Sequence, residues 1–183
     1  MAVCRASFDI GSGTTKLTVA LVNTASNAVD KVLLSLQEEL MVGLDFEKNH
    51  RKFISADMEQ RLLHTVLAYK QRAADLGATQ YSAVATAVFR NSSNGPAILH
   101  HMGSALGVPV ARVSQREEGL LGLLTARALS NTPLSDLVSF DIGGASFQIC
   151  HARPNANGVV ELDGLRALEG DLGSSQSARL LIE

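Results

Sequence analysis

Cysteine is scarce in this chain: Cys4 and Cys150 are the only two in 183 residues. Their separation excludes a disulfide framework and the short cysteine spacings of a zinc site. Each falls in or beside a predicted strand, where a thiol serves as a small buried hydrophobe. An excess of positive charge is also missing. Lys plus Arg number 16 against 18 for Asp plus Glu, so there is no basic field for non-specific nucleic-acid binding. A polyanionic ligand must then be held by backbone donors and a few placed cations. No apolar run approaches membrane-spanning length, and no basic segment followed by an apolar one opens the chain. The expectation is a soluble, cytoplasmic protein without nucleic-acid or membrane partners. Low-complexity tracts are absent too. Hydrophobic residues at 46% against 19% charged describe a globular chain rather than a disordered one.

One short phrase occurs twice. Phe8-Asp9-Ile10-Gly11-Ser12-Gly13-Thr14-Thr15 returns in altered form as Phe140-Asp141-Ile142-Gly143-Gly144-Ala145-Ser146. Apolar or β-prone residues flank each copy, so each predicts a strand, a Gly/Ser turn and a returning strand. Asp at the end of the first strand can hold a metal ion or orient water. Glycine lets backbone N–H groups approach an anion without a Cβ in the way. Two such hairpins facing each other could grip both sides of a phosphate chain, which makes a phosphate-handling cleft the leading reading.

Along the chain, Val3 to Asp9, Lys16 to Val22 and Val29 to Gln37 read as strands, with a turn over Asn23–Asn27. Ser55 suits the N-cap of a long helix, with Met58, Leu62, Leu63, Val66, Leu67, Ala73 and Leu76 at helical spacing and Gly77 at its stop. Tyr81 to Ala85 predicts a strand. Pro96 fits the first turn of a helix ending near Gly107, capped by Asn94 or Gly95. Val110 to Val113 reads as a strand and Gln115 to Leu129 as a third helix, with the leucines at 120, 121, 123 and 124 as core. The order βββαβαβα describes an α/β domain that resembles the ribonuclease H-like fold. Asn131-Thr132-Pro133 is the linker candidate. Strands over Leu137 to Asp141, Phe147 to His151 and Val159 to Leu165 then restart the pattern, and a helix opens at Ser174. The division is 1–132 for a first ribonuclease H-like domain and 133–183 for the beginning of a second, truncated one.

Four segments in order resemble one family. Asp9-Ile10-Gly11-Ser12-Gly13-Thr14 is similar to the first phosphate loop of the sugar kinase, Hsp70 and actin superfamily. Ala85-Thr86-Ala87-Val88-Phe89-Arg90, followed by Asn94, resembles the Ala-Thr…Arg…Asn segment of the exopolyphosphatase and guanosine pentaphosphate phosphohydrolase family. Val113-Ser114-Gln115-Arg116-Glu117-Glu118-Gly119 is similar to that family's Ser-Gly-x-Glu-Glu-Ala helix start. Asp141-Ile142-Gly143-Gly144-Ala145-Ser146 resembles its second phosphate loop. The resemblance covers nearly the whole chain, as the first domain of a family member and the opening of its second, on the actin-like ATPase fold.

What the resemblance implies is removal of terminal phosphate from inorganic polyphosphate or guanosine pentaphosphate with Mg²⁺ or another divalent cation. It gives Glu118 the role of the carboxylate that activates the attacking water, and Arg90 that of a phosphate-contacting guanidinium. Asp9 and Asp141 would hold the metal as hard oxygen ligands. Gly11, Ser12, Gly13, Thr14 and Lys16 on one loop, and Gly143, Gly144, Ala145 and Ser146 on the other, would bind phosphate. No Ser–His dyad suggests a nucleophilic route.

Plainer roles compete at several positions. Ser114-Gln115-Arg116-Glu117 fits a capping box, which explains Glu117 and leaves Glu118 as the catalytic candidate. Adjacent His100 and His101 point about 100° apart on a helix and converge poorly on one ion. Two departures from the family keep alternatives open. Lys16 brings the first loop closer to actin or a sugar kinase, so an ATP-binding kinase-like or nucleotide-switch protein stays in view. Gln148 stands where the family has a carboxylate and Phe147 where it has a hydroxyl, as in a degenerate phosphate-binding member. A homodimer is left open.

Overall fold

Alternation of apolar and polar residues builds the first three strands. In β1 (Ala2–Ile10), Ala6, Phe8 and Ile10 are buried; in β2 (Thr14–Asn23), Thr15, Leu17 and Val19 are. These period-two sets face one core. β1 and β2 pair antiparallel from Ala2↔Asn23 to Ile10↔Thr15, and β3 (Ala28–Glu39) pairs antiparallel with β2. β4 (Gln80–Ala85) and β5 (Val110–Arg112) join in parallel, giving a five-stranded mixed sheet of order β3-β2-β1-β4-β5. The computed structural model describes residues 1–183 except 27, 131, 172 and 174–183, and not the side chain of 129. Asn27 of the first turn, Asn131 of the linker candidate and the helix opening at Ser174 lie outside the described residues.

The sheet is covered by helices whose ends follow local chemistry. α1 (Val42–Lys48) starts at a left-handed Met41. α2 (Ala56–Asp75) is capped by Ser55, whose hydroxyl accepts from the Met58 N–H at 3.2 Å. It stops at Gly77, where φ is +80°. Met58, Leu62, Thr65, Val66, Tyr69 and Ala73 form its buried stripe. Leu67 and Leu76, expected in that stripe, are exposed, because each sits off the narrow face the sheet accepts. Short α3 (Ala87–Asn91) precedes α4 (Gly95–Leu106), whose N-cap is Asn94 and whose last turn ends at left-handed Gly107. With α1 and α3 as additions, this is the α/β, ribonuclease H-like arrangement read from the sequence.

Contacts divide the chain into two compact units, Met1–Arg112 and Val113–Glu183. α5 (Gln115–Ser130) therefore groups with the second unit, ahead of the expected linker rather than behind it. In that unit β6 (Val138–Ile142), β7 (Phe147–Ala152) and β8 (Leu165–Gly170) form an antiparallel meander of order β6-β7-β8, the same hairpin-led order as β1-β2-β3. Two 3₁₀ turns, Leu134–Asp136 and Leu162–Gly164, flank it. The core is Leu123, Leu134, Cys150, Ala152 and Leu165, with Leu120 against it.

Two readings are corrected here. Leu121 and Leu124 are exposed; at 100° per residue they leave the face that Leu120 and Leu123 occupy. The third strand of this unit is Leu165–Gly170, not Val159 to Leu165. Arg116 donates from Nε and Nη2 to the Leu162 carbonyl at 3.3 and 2.9 Å and from Nη2 to that of Leu165, holding the preceding segment in its turn. No helix among the described residues is long and apolar enough to cross a membrane.

Candidate functional site

The first hairpin is closed by one bond, from the Gly11 N–H to the Thr14 carbonyl at 2.9 Å. A Cβ at Gly11 would lie 2.9 Å from that same oxygen, so only glycine fits. Gly13 differs: a Cβ there would meet nothing within 4 Å, and the backbone is not left-handed. The fold does not require glycine at 13, and its bareness leaves open space beside the backbone. α1 takes up the loop's carbonyls, since the Gly43 N–H donates to the Ser12 carbonyl at 2.7 Å and that of Met41 to the Gly13 carbonyl at 2.9 Å. In a trans peptide, N–H and C=O point in opposite directions. With the Ser12 carbonyl held by α1, the Gly13 N–H is aimed away from it. Among the described residues neither the Ser12 nor the Gly13 N–H has an acceptor. Those donors lie beside a missing Cβ, an arrangement chemically able to accept an anion.

The hydroxyls around this loop are not equivalent. The buried Ser12 Oγ accepts from the Val88 N–H of α3 at 3.3 Å. It thereby substitutes for Thr86, the N-cap of α3, whose own side chain makes no capping bond. Thr15 is fully buried beneath the hairpin. Lys16 stands opposite Asp9 in the strand register, with Nζ 3.7 Å from Oδ2 and both side chains about half exposed. Such a pair contributes about 0–1 kcal/mol to stability, but it places a cation beside the Asp9 carboxylate.

Arg90 lies in the last turn of α3, a helix anchored by fully buried Phe89. The Ser12–Val88 bond ties this helix directly to the first loop. Asn94, part of the same sequence motif, is structural: Oδ1 accepts from the Ile54 N–H at 3.0 Å and Nδ2 donates to the Ile54 carbonyl at 2.8 Å.

The second hairpin repeats the first in its closing bond, from the Gly143 N–H to the Ser146 carbonyl at 2.9 Å. Its differences lie in what surrounds it. Gly173 passes so close to Gly144 and Ala145 that a Cβ there would collide with their backbone. Ser146 is buried, and its hydroxyl accepts from Gln148 Nε2 at 3.2 Å. Gln148 is 1% exposed. Phe147 turns to the other face of the sheet, edge-on to Phe140, over Gly170, which leaves room for its ring.

α5 begins with the expected capping box. The Ser114 N–H donates to Glu117 Oε2 at 2.7 Å, its hydroxyl to the same oxygen at 2.8 Å, and the Glu117 N–H returns a bond to Ser114 Oγ at 3.2 Å. Bonds from the Ser114 backbone, then from its hydroxyl, hold the Glu117 carboxyl below its usual range. Glu117 is thus committed to the helix end. Glu118, half-buried, projects from the next position. Gln115 Nε2 fixes this turn to Gly170 and Asp171 at 3.2 and 3.1 Å.

Two glycines of α5, which sequence reading passed over, set its distance from the sheet. A Cβ at Gly119 would collide with Cys150 Sγ and sit 3.3 Å from Gln148 Cβ; one at Gly122 would lie 3.5 Å from Asp141 Oδ2. Asp141 therefore lays its carboxylate over Gly122. Residues 118 and 122 share a helix face one turn apart, so Glu118 rises from the face Asp141 covers. Their spacing of three residues puts Gly119 and Gly122 on one bare stripe of the helix.

Among the described residues, no three His, Cys, Asp or Glu side chains form a metal cage. Mg²⁺ does not need one, since it is commonly bound by one or two carboxylates plus water and phosphate oxygens. The exposed Asp141 carboxylate has that character. Asp9 has it too, sharing its charge with Lys16. His101, set aside as a ligand, bonds through Nδ1 to Glu59 Oε1 at 2.6 Å across α2 and α4.

Comparison with known proteins bears on the fold. The family model of the Ppx/GppA phosphatases matches residues 27–161. The Ppx/GppA enzyme of Aquifex aeolicus superposes with a TM-score of 0.76 at 18% identity, over 94% of this chain and 54% of that one. An exopolyphosphatase from Cytophaga hutchinsonii superposes at 0.74 with 15% identity, over 97% and 53%. The ethanolamine utilization protein EutJ from Carboxydothermus hydrogenoformans is more distant, at 0.51 and 14% identity over 97% and 55%. The chain spans just over half the length of these structures.

Proposed function

As this chain belongs to the Ppx/GppA phosphatase family, we propose that it forms part of a phosphohydrolase releasing terminal phosphate from inorganic polyphosphate or guanosine pentaphosphate. The observation that carries the reading is the first hairpin. Its carbonyls are spent on α1, its Ser12 and Gly13 N–H groups are unspent, and no Cβ guards Gly13. The same closing bond recurs at Gly143–Ser146. A dense row of phosphates repels nucleophiles, so catalysis reduces to positioning and charge neutralisation.

In this reading the backbone N–H groups of both loops, with the hydroxyls of Ser12 and Thr14, hold phosphate oxygens. Lys16 and Arg90 offset their charge, Arg90 with a guanidinium able to take two oxygens at once. Glu118 accepts the proton of the attacking water, leaving Glu117 to the helix cap. Asp9 and Asp141 would hold a divalent cation, which when bound neutralises phosphate charge and stabilises the leaving oxygen. A cytoplasmic setting goes with these substrates.

A second reading has its own support. Gln148, dry and bonded to Ser146 opposite Asp141, supplies no charge to a metal, as in a protein that binds phosphate chains without cleaving them. Phosphate release by the longest natural form of the chain separates the two. We expect release from polyphosphate or guanosine pentaphosphate that EDTA abolishes. Polyphosphate binding without release under Mg²⁺ or Mn²⁺ would favour the second reading. Saturable ATP binding that polyphosphate does not displace would contradict both.

A further inference from the structure

The turn between α1 and α2 carries Lys48-Asn49-His50-Arg51-Lys52, three of the chain's 16 Lys and Arg residues within five positions. We propose that this turn is an outer docking site for the trailing part of a linear polyphosphate whose end lies in the Gly11–Thr14 cradle. The proposal rests on the phosphate-binding reading of that cradle.

The cations are exposed and uncompensated. Lys48, Arg51 and Lys52 all face solvent, and among the described residues none has an ion-pair partner. The nearby Asp45 is turned inward, where it accepts from the Ser55 N–H at 2.8 Å, the Ser55 hydroxyl at 2.6 Å and Asn49 Nδ2 at 3.3 Å. Glu47 keeps Oε2 buried.

The backbone presenting them is preset. His50 and Arg51 are both left-handed, with φ of 55° and 56°, a conformation that costs a non-glycine residue about 1 kcal/mol or more. It is held by bonds from the His50, Arg51 and Lys52 N–H groups to the carbonyls of Glu47, Phe46 and Asn49 at 2.9, 2.8 and 3.2 Å. The Ser93 N–H donates to the Lys52 carbonyl at 2.8 Å, and Asn94 clamps Ile54 beyond it. A fixed turn loses little backbone freedom when an anion lands on it.

The same bonds set its position. α1 begins where Met41 and Gly43 hold the loop carbonyls and ends at Lys48. Seven helical residues rise roughly 10 Å, a span that a few phosphate units cover. Ser93 follows α3, the helix that carries Arg90 and is tied to Ser12. Cradle, Arg90 helix and basic turn are thus one hydrogen-bonded assembly in the first unit. RNA is the poorer occupant: the chain as a whole has a net charge of −2, and Phe53 alone flanks the turn, where stacking sites use successive aromatics.

The test is the double variant Arg51→Gln/Lys52→Gln in the longest natural form of the chain, read as binding and hydrolysis of long linear polyphosphate and of tripolyphosphate. The long chain should bind about tenfold more weakly, with KM raised likewise and kcat unchanged, and the log–log salt slope should shrink by about 1–2. Tripolyphosphate values should stay within about twofold, and Arg51→Lys/Lys52→Arg should restore long-chain binding. Unchanged long-chain affinity, an equal loss on both substrates, or tighter binding of single-stranded RNA than of polyphosphate would overturn the proposal. Weakened long-chain binding in a protein that hydrolyses neither substrate would uphold the docking site while removing the hydrolase reading.

Discussion

Asp141 stands directly opposite Gln148 in the β6–β7 register, on the face that α5 covers, yet one is exposed and the other 1% exposed. Asp141 escapes over Gly122, while Gln148 is trapped beneath Gly119 and donates to Ser146. A carboxylate at 148 would therefore be both buried and beside a second carboxylate. Gln148→Glu should lose about 2 kcal/mol or more at pH 7.5. Burial raises the new carboxyl's pKa, so the loss is present above that raised value and fades as pH falls and the group protonates. Mg²⁺ should recover part of it. Thermal melts at pH 5 and 7.5, with and without Mg²⁺, check this; a melting temperature blind to both contradicts it.

The two glycines of α5 should respond in opposite ways. Gly119→Ala drives a methyl into Cys150 and Gln148 and should destabilise by about 1–3 kcal/mol, partly relieved by Cys150→Ala. Gly122→Ala meets Asp141 at ordinary contact distance. It should gain up to about 1 kcal/mol from helix propensity and lower activity by crowding the carboxylate. Denaturant melts and phosphate release measured together read both effects.

The cap of α5 makes an acid-side prediction. The Glu117 carboxyl titrates below its ordinary value of 4.5 because the folded state bonds its charged form. Its stabilisation is complete above that ordinary value and is lost as pH falls through the lowered one. Ser114→Ala should cost about 1 kcal/mol at neutral pH and flatten the acid limb of a stability profile below the ordinary carboxyl value of 4.5.

The first loop separates folding from binding. Gly11→Ala meets the Thr14 carbonyl at 2.9 Å and should destabilise the hairpin. Gly13→Ala meets nothing, so the melting temperature should hold while affinity for tripolyphosphate falls about tenfold or more, as the methyl enters the anion's space. Calorimetry on both variants decides it.

Long periodic elements were readable because local and tertiary preferences agree in them. Ser55 and Gly77 bracket α2, and the alternation of Phe8 and Ile10 against Leu17 and Val19 defines one sheet face. α1 and α3 were not read. The first starts from left-handed Met41 without a side-chain cap, and the second borrows its cap from Ser12, distant in sequence. β8 shifted because Arg116 claims carbonyls that no local pattern announces. In the site, loop and capping-box residues were visible as motifs. Gly119, Gly122 and Gly173 were not, since their role is to be approached by side chains or backbone from elsewhere. That Gln148 is dry also depends on α5 lying over it.

The adjacent carboxylates of α5 provide the most direct test. In the longest natural form of the chain, Glu118→Gln and Glu117→Gln are compared for initial phosphate release from polyphosphate with Mg²⁺, alongside melting temperature. Glu118→Gln should lose about 10²-fold or more in kcat with an unchanged melting temperature. Glu117→Gln should keep the rate within a few fold and melt lower, because the cap is weakened. A Glu118→Gln protein that releases phosphate at the wild-type rate would contradict the account.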